Sequence, residues 1–92
     1  MSSEWIIDAG ERRNIAVDWS LAAEPGSAID ITNPPSVEIR GVGVTCTYVA
    51  TEGMRTKFVI EAGQSACKIQ VVFTVKFSNG ERLIEKSIIS VI

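Results

Sequence analysis

Apolar and polar residues alternate along most of this chain, most clearly near its end. Ile69, Val71, Phe73, Val75 and Phe77 hold one parity, while Gln70, Thr74, Lys76 and Ser78 hold the other. A period of two marks a β-strand with one face toward a core. Asn79-Gly80 follows, the pair that best suits the two positive φ angles of a type I′ hairpin turn. A two-residue loop sets Val75 opposite Ile84 and Val71 opposite Ile88, and opposed residues share a face. A three-residue loop through Ser78 shifts that register by one.

The same alternation recurs upstream. Ile15, Val17 and Trp19 define a half-buried strand, with Trp19 inward. Pro25-Gly26 reads as a turn. Ile29 and Ile31 alternate again, until Pro34 and Pro35 force the strand to end or to change sheets. A short strand resumes at Val37. Val42, Val44, Cys46 and Tyr48 then share a face, and the glycines at Gly41 and Gly43 imply a bulge or a close backbone approach. A turn at "TEGMR" leads to a strand that stops at Gly63.

The pattern predicts an all-β protein: about seven to eight short strands in an antiparallel β-sandwich or small barrel. An immunoglobulin-like sandwich fits the length and strand number. The expected division is an N-terminal segment or arm over residues 1–12 and a single β-sandwich domain over 13–92.

Composition strengthens this reading. The 92 residues include 12 Ile and 10 Val against 2 Leu. β-Branched side chains suit pleated surfaces, whereas Leu suits helices. The net charge of -2 offers no attraction for nucleic acid or an anionic membrane. No stretch is long and apolar enough to span a bilayer. The N-terminus has neither the basic nor the apolar region of a secretory signal. A protein kept in a reducing cytosol is therefore expected, with Cys46 and Cys67 as free, buried thiols; a disulfide between sheets is the alternative.

Candidate chemistry is sparse. The chain has no histidine, which removes the commonest general base and metal ligand. Two cysteines without histidine make a poor zinc site. The carboxylates Asp18, Asp30, Glu38, Glu61, Glu81 and Glu85 lie mostly at outward parity or beside turns, as on a solvated face. No catalytic, cofactor or metal site is expected, and no enzyme.

Two groups of residues instead point to contact with other proteins. Trp5, Ile6 and Ile7 form an apolar terminal patch that must dock on its own domain or on another subunit. In the two-residue register, Val72, Ile89 and Val91 fall on the parity that faces water. They are either covered by the sheet's own coiling or the N-terminal strand, or they meet a partner.

The stretches "VDWS", "ITNPPSVEI", "FVIEAG" and "KIQVVFTVKFSNGERLIEKSIISV" resemble the small phage fibre–tail adaptor proteins. Asp18, Trp19 and Ser20 match that family's first strand. Val59, Ile60 and Gly63 match its third element, and Ser78, Gly80 and Arg82 its last hairpin. The chain departs from the pattern at Val71, where an aromatic is the rule, and around "RGVGVTCTYVATEGMR". The resemblance implies an immunoglobulin-like virion component, assembled in the host bacterial cytoplasm and needing no cofactor. Its partners would be other phage proteins (tail, connector or fibre), met in a multi-copy ring or assembly, with no nucleic acid or membrane involved. Capsid decoration and glycan binding by an immunoglobulin-like module are the alternative functions.

Overall fold

β-Branched and aromatic residues at every second position draw the chain into seven strands. The computed structural model describes residues 3–92; the first two positions of the 1–12 segment lie outside the described residues. The strands are β1 (Ser3–Ile7), β2 (Arg12–Asp18), β3 (Ser36–Arg40), β4 (Val44–Glu52), β5 (Arg55–Ala62), β6 (Cys67–Lys76) and β7 (Arg82–Val91). They form two sheets, one ordered β1-β7-β6-β3 and the other β2-β5-β4. β1 runs parallel to β7, and every other pairing is antiparallel. The architecture is a β-sandwich, within the expected strand number.

The core lies between the sheets. Phe73 of β6 meets Phe58 of β5 across the gap, with ring centroids 4.6 Å apart. Trp5 packs edge-on to Phe73 at 6.0 Å, and Tyr48 edge-on to Phe58 at 5.8 Å. Offset and edge-to-face pairs of this kind add to the burial of the rings. At one end of the sandwich Trp19 is buried as expected, one residue beyond β2. Its indole N–H donates to the buried Thr56 hydroxyl at 3.0 Å, so neither polar group is orphaned. The terminal patch docks on its own domain: Ile7 is buried, Trp5 is half-buried, and only Ile6 points to solvent.

The final hairpin takes the three-residue loop. Phe77 N–H donates to the Glu81 carbonyl at 2.8 Å, and Gly80 N–H to the Phe77 carbonyl at 3.0 Å. Gly80 has φ of 89°, while no described residue other than glycine has positive φ, so Asn79 does not form a type I′ turn. The Asn79 side chain instead accepts from Glu81 N–H at 2.9 Å. Val75 therefore faces Leu83 and Val71 faces Ser87.

This corrects the expected facing of the last strand. Ile89 and Val91 are core residues, and Ile84 and Ile88 point outward. The balance of charge favours it: the observed register turns one carboxylate, Glu85, toward Phe73 in place of two cations. The two-residue register would have turned Arg82 and Lys86 inward together with Ile84 and Ile88, leaving two cations in an apolar gap. The observed register also places Trp5 beside Ile89 and Ile7 beside Val91, so β1 and β7 bury the same face.

Two other expectations are corrected. Ile29 makes only an isolated bridge to Phe77, and Ile31 is 83% exposed, so no strand forms there. The Asp30 carboxylate accepts from Thr32 N–H, Thr32 hydroxyl and the Asn33 amide at 2.9, 2.6 and 2.9 Å. That local turn competes with a ladder, and Pro34-Pro35 then blocks one. Val42 sits in the tight crossover between sheets rather than on β4, and it is exposed. Gly41 and Gly43 there have φ of 138° and 102°. A close approach explains this turn: a Cβ on Gly41 would lie 2.5 Å from Ile69 Cγ2.

The two glycine turns should differ in tolerance. At Gly80 nothing lies within 4 Å of an added Cβ, so Gly80→Ala should cost only the backbone term of about 1–2 kcal/mol. Gly41→Ala must also displace Ile69 and should cost more. Urea denaturation of both variants checks the order.

Candidate interaction face

The two outer surfaces of the sandwich differ in chemistry. On the three-stranded sheet, β2 and β5 pair Arg12 with Glu61 and Asp18 with Arg55 in register. Those pairs close at 2.6 and 4.0 Å, and Lys57 meets Glu52 at 2.6 Å. All are exposed, so each adds little stability, but the cations there are already matched. A bulge on β4 puts Val49 over an open depression of about 390 Å³, lined also by Asn14, Ala16 and Lys57. No set of groups in it suits catalysis, and among the described residues no three His, Cys, Asp or Glu gather to hold a metal.

The four-stranded sheet is different. Its outward positions on β7 are Arg82, Ile84, Lys86, Ile88 and Ser90. Beside them lie Glu4 and Ile6 on β1, Val72 on β6, and Glu38 and Arg40 on β3. Ile84 is 54% exposed and Ile6 is 56% exposed. Val72 belongs to this face but is only 7% exposed, because it lies on a central strand between Glu38 and Lys86, whose long side chains flank it. The result is a β-branched stripe on a water-facing sheet.

Charge follows the same division. Lys68, Lys76, Arg82, Lys86 and Arg40 share this face with only two acids, Glu4 and Glu38. Lys68 pairs with Glu4 at 3.7 Å, and Arg40 with Glu38 at 3.5 Å. Lys76, Arg82 and Lys86 make no ion pair among the described residues. A chain of net charge -2 thus has one face with a surplus of three cations over its acids.

Of the residues expected to make contacts, Ile6 lies exposed on this face and Val72 lies beneath its surface. Trp5, Ile7, Ile89 and Val91 belong to the core or pack against it, so they support the face from behind. Ile84 and Ile88 were not anticipated, because the wrong loop length reverses their facing. The signal was available, since Arg82 and Lys86 share their parity.

Both cysteines are free and half-buried. Burial pushes the Cys46 thiol up to about 11. Of the six aromatic residues, Trp5 and Tyr48 are half-buried and the other four are buried.

This is a structural protein that works through its surface: a sandwich with no histidine, a filled interior, and one apolar, cationic face. More particularly, the chain belongs to the podophage GP4 fibre-tail adaptor protein gp77 family, whose model matches residues 8–90. It is a non-enzymatic component of the phage virion that connects with other virion proteins. No curated protein matches the chain.

The Cys46 thiol should be inert in the folded state. With a pKa of about 11, about one molecule in a thousand carries the thiolate at pH 8. Raised in the folded state, this pKa contributes stability that is complete below the ordinary thiol range. That contribution is lost as pH climbs through about 11. Alkylation at pH 8 followed by mass spectrometry should label Cys46 slowly until denaturant is added. Rapid labelling of the native protein would contradict the packing described.

Proposed function

We propose that this adaptor is an immunoglobulin-like sandwich that acts in several copies, set as a ring or collar where a fibre joins the tail. It is built into the particle in the host bacterial cytoplasm. The observation that carries this reading is the contrast between the two outer faces. One has its charges matched in register, while the other presents Ile6, Ile84 and Ile88 among cations without ion-pair partners. Burying those side chains against a neighbour supplies affinity at roughly 25 cal/mol per Å² of apolar surface. The surrounding cations supply orientation and partner choice. Ile6 and Ile84 are the contact residues at the surface, with Val72 beneath them. Trp5, Ile7, Ile89 and Val91 keep the sheet in shape.

Family membership favours the tail over the head, and the lack of exposed rings disfavours glycan binding. Electron microscopy of particles should place several copies of the chain at the tail–fibre junction. Particles built with Ile84→Asp should lose fibres while the isolated variant stays folded. Density on the capsid surface, or a single copy, would refute the reading.

A further inference from the structure

We infer that copies of this chain join head to tail: the outer face of the four-stranded sheet in one copy receives the 19–35 connection of the next. The inference deepens the multi-copy reading above and rests on it. Both surfaces belong to this chain, so their complementarity can be inspected directly.

The receiving face combines exposed isoleucines with three cations that lack an ion pair among the described residues, Lys76, Arg82 and Lys86, of which Lys76 already lies near Asp30 of its own chain. The connection between β2 and β3 has the opposite character. It contains Glu24 and Asp30 and no lysine or arginine. Asp30 is fixed by donors from Thr32 and Asn33, which favour its charged form. The same connection holds two strongly exposed apolar side chains, Leu21 at 100% and Ile31 at 83%. The face thus carries a net positive charge around exposed isoleucines, with Glu4 and Glu38 as its acids, and the connection a net negative charge beside two exposed apolar side chains.

The alternatives fit less well. Two copies joined through the same sheet face would set one net-positive surface against another. A nucleic acid would satisfy the cations but not the isoleucines, and the face offers no aromatic ring on which a base could stack. A contact between two different surfaces leaves one of each free on every copy. Addition therefore continues until rotation closes a ring.

Two broken variants test this. Ile84→Asp spoils the sheet face and leaves the connection intact. Leu21→Asp with Ile31→Asp does the reverse. All three positions are exposed, so thermal melting of each variant should stay near that of the wild type. Lys86→Glu with Arg82→Glu is a second face variant that leaves the apolar residues alone.

Analytical ultracentrifugation of the full chain at low salt should show the wild type as oligomers. Each variant alone should associate at least about a hundredfold more weakly. An equimolar mixture of the two types should form one-to-one dimers and nothing larger, because each supplies the surface the other lacks. A mixture that stays monomeric overturns the proposal. So does a face variant that still assembles, a loop variant that assembles like the wild type, or a wild type that is monomeric at its highest soluble concentration. If the particle nonetheless holds several copies at the junction, the adaptor reading stands and only the choice of surfaces is wrong.

Discussion

The length of one loop decides which side of this protein is inside. With Ser78, Asn79 and Gly80 in the turn and Gly80 at positive φ, β7 enters the sheet with its odd-numbered residues toward the core. A turn shorter by one residue would reverse every side chain on that strand. The consequence spreads beyond β7. β1 pairs with it in parallel, so Trp5 and Ile7 reach the core only because Ile89 and Val91 do. Trp5 in turn lies against Phe73, which meets Phe58 in the opposite sheet. The turn also fixes what the solvent sees, since Ile84, Lys86 and Ile88 point outward for the same reason.

A domain this small has little interior to spare. Its core is a single layer of side chains between two sheets, and a chain of this length leaves a large share of its surface in water. Phe58, Ile60, Val71, Phe73, Val75 and Ile89 are almost wholly buried and fill that layer. The buried polar pair, Trp19 with Thr56, is satisfied within it. A cleft with converging ionisable groups would have to replace some of these contacts. A face adds function without removing any, which is why a protein of this size acts through its exterior.

Much of the fold was legible in the sequence. Period-two alternation located all of β2, β4, β5, β6 and β7, because each has one buried and one wet face. The inward Trp19 and the close approach at Gly41 and Gly43 were equally readable. The failures share a cause: local chemistry outweighed alternation. Asp30, held by Thr32 and Asn33, turned an apparent strand at Ile29 and Ile31 into a loop. Asn79 looked like a type I′ residue, but its side chain caps Glu81 instead. Of the proposed interaction face, the exposure of Ile6 was legible from its place in the terminal patch. Ile84 and Ile88 were hidden by the loop length. Testing each register for the charges it would turn inward, as well as the apolar residues it would match, favours the three-residue loop, which keeps Arg82 and Lys86 in water and turns only Glu85 of β7 toward the core.

The same reasoning favours one outer face over the other as the proposed interaction surface. Matched cross-strand pairs such as Arg12 with Glu61 are already neutralised. Covering them would cost desolvation that an incoming surface could not repay with new pairs. Lys86 and Arg82 begin with no ion pair among the described residues, so an acidic neighbour gains the whole of each new contact at the rim. The isoleucines between them lose only water. A central strand such as β6 has its backbone paired on both sides, so docking on this face requires no rearrangement of the ladder. On that proposal, affinity comes from apolar side chains and selectivity from the charges beside them, both set by the parity of a single strand.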